Sequence, residues 1–318
     1  MSCYPCIIEV NPCIHTVLEI SYQPVLILAS GKTKHSIYFR HVLTLTRMVD
    51  AVTLRNGVSM PLLGLGTSHQ GGYSRAAVLH ALGLGYRLLD TAARYGCEQQ
   101  LGEAVRESGV AREQLFLTSK IWPADYGRDK CLAAAELSME RLGVEFLDLL
   151  LLHWPGGLQE EVAGAWRGLE ELLEQGRVRA IGVSNFQQRH LDRLLLTARV
   201  VPHVNQIEFH PYQNDQELLQ YCKELGIKVT GYSPLGKGQL LHDQEVQGVA
   251  KELGVTPAQV LVRWSMQQGV VAIPKSTQVE RVEENWSVWG WRLKEEHMGV
   301  LGGKHRGIRV TWDPSNVP

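Results

Sequence analysis

Leu88-Leu-Asp-Thr-Ala-Ala-Arg-Tyr-Gly-Cys-Glu98 is the stretch on which the reading of this chain turns. Two leucines form a short apolar strand that ends at Asp90, and a phenol, Tyr95, sits on the loop that follows. Two further strands end the same way: Leu115-Phe-Leu-Thr-Ser119 runs into Lys120, and Leu147-Asp-Leu-Leu-Leu-Leu152 into His153. Acid, phenol, ammonium and imidazole thus fall at the carboxyl ends of three successive strands. In a chain alternating strand with helix, that rim is where catalytic groups collect.

Outward from this stretch the alternation is regular. Val52 to Met60 reads as a β-hairpin, with Asn56-Gly57 predicting a type I′ turn. Leu62 to Gly66 is a short buried strand, and helical periodicity covers Ser74 to Leu84. Strands are then predicted at 115–119, 147–152, 180–183, 204–208, 228–232 and 270–273. Helices are predicted near 98–108, 129–142, 159–175, 188–198, 215–225, 243–253 and 256–268. The strands carry no polar alternation, as expected when both faces of a parallel sheet are covered. Eight such units over roughly 230 residues predict a closed (β/α)8 barrel with an N-terminal β-hairpin capping its bottom. A doubly wound sheet would need Gly-x-Gly-x-x-Gly after the first strand, whereas Gly64-Leu-Gly66-Thr-Ser-His69 supplies only the first two glycines.

Composition narrows the function classes. With 318 residues, 44% of them hydrophobic, the chain can bury a large core. A net charge of −1 gives no electrostatic reason to expect nucleic acid or an anionic membrane. No apolar run reaches the roughly 18 residues of a membrane span. The six cysteines show no paired metal-ligand spacing beyond Cys3-x-x-Cys6, and Cys97, Cys131 and Cys222 fall inside strand–helix units. A reduced, cytoplasmic protein without a metal is the expectation, and no heptad or repeat argues against a monomer. Residues 1–47 lack helical or alternating periodicity and read as an extension, disordered or outside the fold; the barrel is expected over 48–318.

The four polar groups suit one chemistry. A tyrosine ordinarily titrates near pH 10, so it donates a proton at neutral pH. Lys120 within hydrogen-bond reach would stabilise the phenolate and lower that value, with Asp90 holding the ammonium in place. His153 would donate a hydrogen bond where negative charge develops on a carbonyl oxygen. Singly, each has an ordinary explanation: Asp90 as a helix cap, Tyr95 as packing, Lys120 as a surface charge, His153 as a core histidine. Together on successive strand ends they point to carbonyl reduction.

Here a family resemblance enters. Asp90-Thr-Ala-x-x-Tyr95-Gly, Thr118-Ser-Lys120-Ile-Trp122 and Leu151-Leu-His153-Trp154-Pro155 resemble the tetrad motifs of the aldo-keto reductases. Ile181-Gly-Val-Ser184-Asn185-Phe186 is similar to that family's carboxamide-binding motif. Asn205-Gln206-Ile-Glu208-x-His210-Pro211 and Gly231-Tyr232-Ser233-Pro234-Leu235 resemble its nicotinamide-stacking and phosphate-loop segments. Ile273-Pro-Lys275-Ser276-x4-Arg281-x-x-Glu284-Asn285 resembles its 2′-phosphate clamp. The resemblance implies Tyr95 as general acid, Asp90 and Lys120 as its tuning pair, and His153 on the substrate carbonyl. It further implies Ser184, Asn185 and Gln206 on the carboxamide and Tyr232 against the nicotinamide. Gly66, Thr67, Asp90, Ser233, Leu235, Lys275, Ser276, Arg281, Glu284 and Asn285 complete the implied cofactor set. Lys275 and Arg281 carry the charge a 2′-phosphate requires, so NADPH is the expected cofactor.

Departures from the family pattern shape the expected substrate. Ser68 stands where many members carry an aromatic residue. The segments after Trp154 and around Gly236–Leu241 are brief, which argues against a long lid, and the tail beyond Leu301 is short. An open pocket walled by Trp122 and Trp154, suited to small or aromatic aldehydes, is expected. The alternatives are an NADPH-binding regulatory or sensor subunit with little turnover, and a structural protein that keeps the site by descent.

Overall fold

The structure, a computed structural model, describes residues 50–68 and 72–317, together with the strands Glu19–Pro24 (β1) and Phe39–Thr44 (β2). Two units are distinguished, Met1–Val49 and Asp50–Pro318. In the first, β1 and β2 pair antiparallel, with Glu19 opposite Thr44 and Pro24 opposite Phe39. The rest of the reading of residues 1–47 lies outside the described residues.

In the second unit, the apolar strands close into a ring. Gly64–Gly66 (β5), Leu88–Asp90 (β6), Phe116–Ile121 (β7) and Leu149–Leu152 (β8) are followed by Ile181–Ser184 (β9), Val204–Glu208 (β10), Lys228–Tyr232 (β11) and Val271–Ile273 (β12). They form one eight-stranded sheet in chain order, parallel throughout. Parallel bridges Leu63–Ala272 and Gly66–Lys275 join its two edges, and the Ala272 amide donates to Leu62 O at 2.9 Å. Closure leaves no free edge, and both strand faces are buried, which is why these segments are continuously apolar. Gly182 shows how tight the ring is: a Cβ there would lie 2.4 Å from Val204 O.

Helices fill the intervals: Arg75–Leu84 (α1), Glu98–Ser108 (α2), Arg128–Leu142 (α3), Gln159–Glu174 (α4), Gln188–Leu195 (α5), Gln216–Glu224 (α6), Gln244–Leu253 (α7) and Pro257–Gln267 (α8). The start of α8 is legible in Thr256-Pro-x-Gln259, where Thr256 and Gln259 cap each other reciprocally and proline takes the first turn. Two short helices beyond the predicted set, Val279–Trp286 (α9) and Glu295–Gly302 (α10), follow the last strand. Among the described residues, no helix is long and apolar enough to cross a membrane.

Ala51–Thr53 (β3) and Ser59–Pro61 (β4) form the expected hairpin. Leu54 and Met60 pack with Leu88, Phe116, Leu149, Leu151 and Val204 in the barrel interior, at the amino ends of the strands. The turn is not type I′. Only Gly57 takes a positive φ, at 86°, while the Gly57 amide donates to Leu54 O and the Leu54 amide to Val58 O. This is the longer loop in which a turn is followed by one left-handed glycine, so a single residue supplies the reversal.

Candidate active site

The carboxyl ends of the strands open on a cavity of about 930 Å³. Asp90 ends β6, Lys120 lies in β7, and His153 follows β8, so the ladder itself sets their spacing. Lys120 is fully buried in a strand otherwise made of Phe, Leu, Thr, Ser and Ile. A buried ammonium has to be paired, and Lys120 Nζ donates to Asp90 Oδ1 at 2.6 Å and to Thr91 O at 2.8 Å. Its third neighbour is Tyr95 Oη at 3.4 Å. Tyr95 rides on a short 3₁₀ turn, Ala93–Tyr95, and its ring meets His153 edge-on with centroids 5.6 Å apart.

The sequence led us to expect that Lys120 lowers the Tyr95 pKa. The direction is the reverse: burial, followed by the Asp90 and Cys97 charges, pushes it well above the ordinary phenol value. Burial also lowers the pKa of Lys120, against the opposing pull of Asp90. Asp90 takes the ammonium's closest bond, at 2.6 Å against 3.4 Å to the phenol, and burial prevails. Tyr95 is therefore held as a protonated phenol.

Ser184, Asn185 and Gln206, assigned by resemblance to a carboxamide, hold one another. Ser184 Oγ donates to Gln206 O at 2.8 Å, and Asn185 Nδ2 to Ser184 Oγ and His153 O, both at 3.1 Å. Gln206 Nε2 donates to the second Asp90 oxygen at 2.7 Å. Tyr232 Oη donates to Asn185 Oδ1 at 2.7 Å.

Farther along the same wall are Ser233, Leu235, Lys275, Ser276, Arg281 and Glu284. Asn285 belongs to it too, and its Oδ1 is buried without a hydrogen-bond partner among the described residues. Among the described residues Arg281 has no ion-pair or hydrogen-bond partner. Among the described residues, the three non-glycine residues with positive φ, Asn185 (67°), Ser233 (51°) and Lys237 (52°), all border this cavity. Left-handed backbone at serine and lysine stores strain, and such strain gathers at binding sites.

Of the residues named from sequence, Gly66, Asp90, Tyr95, His153 and those from Ser184 to Asn285 that the resemblance assigned to a dinucleotide line one cavity. Thr67 is not on its wall; its amide and hydroxyl both bond Asp90 O, at 2.9 and 3.0 Å. Lys120 stands behind Asp90 and Tyr95. Trp122 meets His153 directly, edge-on with centroids 5.2 Å apart, whereas Trp154 reaches the site through a residue that had no assigned role, Trp312. Its ring lies 5.6 Å from Trp122, 5.9 Å from Trp154 and 6.5 Å from His153. The short tail therefore does not leave the pocket open; it folds Thr311 and Trp312 onto the cavity. A lone tryptophan in a polar, glycine-rich tail was the available signal. Lys237 and His242, from the loop after Leu235, also face the cavity and carried no assignment.

Comparison with known proteins bears on the family and the fold. The family model for the aldo/keto reductase family matches residues 62–304. A glyoxal reductase of Bacillus subtilis is 44% identical over 274 residues, covering 86% of this chain and 99% of that protein. An aldo-keto reductase from a deep-sea metagenome library superposes with a TM-score of 0.81 at 37% identity, covering 85% of this chain and all of that one. A Bombyx mori aldo-keto reductase solved in complex with NADP gives 0.78 at 30% identity, covering 83% and 95%. The chain belongs to the aldo/keto reductase family.

Proposed function

We propose that the protein is an NADPH-dependent reductase of small and aromatic aldehydes and ketones. The observation that carries this is the buried relay Asp90–Lys120–Tyr95 opening, beside His153, into the cavity that also holds Lys275 and Arg281. The cavity suits a phosphorylated dinucleotide. Asn285 Oδ1 offers a desolvated acceptor to an amine, and Lys275 and Arg281 offer charge to a phosphate. The NADP in the Bombyx mori relative supports the same reading.

When bound, NADPH would supply the hydride. The chain's own residues handle the oxygen. His153 holds the carbonyl oxygen in place, and Tyr95, kept protonated by burial, gives its proton to that oxygen as carbon is reduced. The phenolate that remains is stabilised by Lys120, whose own charge Asp90 secures. The walls of Trp122, Trp154 and Trp312 exclude water and favour flat or small substrates. The name of the B. subtilis relative, glyoxal reductase, points to the same substrate class.

The test is loss of NADPH absorbance with purified protein against methylglyoxal, a nitrobenzaldehyde, a sugar aldehyde, a quinone and a ketosteroid, with NADH run in parallel. NADPH-selective turnover of the small and aromatic aldehydes is expected. Tight NADPH binding with no turnover on any of them would overturn the reading.

A further inference from the structure

Glu208 ends β10 at the barrel mouth, and its side chain is fully buried. A carboxylate in that position has to gather donors. Four converge on it: His210 Nε2 at 2.9 Å, the Val310 amide at 2.6 Å, the Thr311 amide at 3.1 Å, and the Thr311 hydroxyl. Three of the four come from one short piece of the tail, about a hundred residues further along the chain. Burial works to raise the pKa of this carboxyl, but the bonds from His210, Thr311 and Val310 outweigh it and hold the group below its usual value.

What the tail carries at this point decides the consequence. Thr311 Oγ1 lies 3.1 Å from Tyr232 Oη, which in turn donates to Asn185. The next residue, Trp312, packs on Trp122 and Trp154 beside His153. Past it the tail is tied down separately, by Arg189 to the carbonyls of Pro314, Ser315 and Val317 at 3.1, 2.8 and 2.8 Å. Arg189 fixes the end of the strap, whereas Glu208 fixes the part that crosses the site.

We propose that Glu208 is a positioning residue for the carbonyl pocket: its buried carboxylate latches residues 310–311 and so seats Trp312 against Trp122 and Trp154. It sets affinity for aromatic carbonyls without touching them. The kinetic half of this proposal rests on the reductase reading above; the latch itself does not.

Glu208→Gln exchanges an acceptor-only group for one that presents its own N–H to the tail amides. In this variant trypsin is expected to cleave after Arg309 under native conditions at least about tenfold faster, because that bond adjoins the released Val310 amide. The KM for a nitrobenzaldehyde rises about five- to tenfold, as loss of aromatic contacts predicts, while kcat and the KM for methylglyoxal stay within about twofold. Thr311→Val, which leaves the carboxylate in place, gives a smaller shift in the same direction. A chain ending at Val310 shows the same raised KM, and adding Glu208→Gln to it changes nothing further. Unchanged cleavage and KM in Glu208→Gln would overturn the proposal, as would a further loss when the substitution is made in the shortened chain. Should Glu208→Gln not fold, Thr311→Val decides, and wild-type cleavage and KM in that variant count against the latch. If the wild-type protein reduces none of the carbonyls, the reductase reading falls while the cleavage rates still judge the latch.

Discussion

Gln206 Nε2 lies 2.7 Å from Asp90 Oδ2, so the carboxylate that takes Lys120 on one oxygen is held on the other by the sixth strand of the barrel. The side chain assigned by resemblance to a carboxamide is thus also part of the relay behind Tyr95. Asp90 is 3% and Gln206 2% exposed, so both bonds are largely shielded from bulk water. Gln206→Leu leaves one buried carboxylate oxygen without its donor, which costs about 1–3 kcal/mol. A lowered melting temperature together with weakened cofactor binding is expected. Thermal unfolding and an NADPH fluorescence titration check this; weakened binding with unchanged melting would separate the two roles and sink the relay part.

If Tyr95 is the proton donor, Tyr95→Phe removes it while leaving the ring against His153. Turnover should fall ~10²–10⁴-fold, the usual share of general acid catalysis, with NADPH affinity unchanged. The pH dependence follows from the direction of the Tyr95 shift. Because its pKa is raised by burial, the phenol keeps its proton well past the ordinary value of 10.0. The reduction rate of the wild-type protein should therefore show no alkaline fall from Tyr95 between about pH 7 and about pH 9. A fall inside that range that disappears in Tyr95→Phe would contradict the protonated-phenol assignment.

Arg281 lies on α9, on the cavity wall with Lys275, and bonds no carboxylate among the described residues. If it meets the 2′-phosphate, Arg281→Ala loses one charge-assisted contact of about 1.5–3 kcal/mol, or ~10–100-fold in NADPH affinity. NADH, which lacks that phosphate, should bind as before. Parallel titrations with the two cofactors measure the difference directly, and equal losses for both would move the clamp elsewhere.

The relay was legible in the sequence because polar groups punctuate the strands near their carboxyl ends: Asp90 ends one, Lys120 is the next-to-last residue of the second and His153 follows the third, and a parallel ladder brings such positions together. Arg281 and Asn285 were legible only through the family resemblance, since the helix that carries them is eight residues long and shows just a surface-like charge pattern. The Tyr95 pKa direction was not legible, because it depends on how much water the walls exclude. Asn56-Gly57 predicted the hairpin but not its turn, since local preference for left-handed φ at Asn56 yields to the five-residue loop. Beyond the lone tryptophan itself, nothing in the sequence tied Thr311 and Trp312 to the site, for a plainer reason. They sit in a tail without periodicity, and their partners, Glu208, Tyr232 and Trp122, lie 79 or more positions away.

Trp312 offers the sharpest test of how the pocket selects its substrate. Its indole is 38% exposed, so it is a wall rather than a core residue, and removing it should not unfold the protein. It meets Trp122 and Trp154 at steep interplanar angles of 65° and 84°, edge to face, and the Arg94 guanidinium lies 4.0 Å over the Trp122 ring and 5.4 Å over that of Trp312. An aromatic substrate in this pocket would exchange water for ring contacts worth about 0.5–1.5 kcal/mol, whereas methylglyoxal has no ring to offer. Trp312→Ala should accordingly raise the KM for a nitrobenzaldehyde by roughly two- to tenfold. The KM for methylglyoxal and the kcat for both should hold, since the alanine touches neither Tyr95 nor Lys120. Steady-state kinetics on the two aldehydes resolves this in one experiment. Equal rises for both would mean that the tail shapes the whole cavity and not only its aromatic wall.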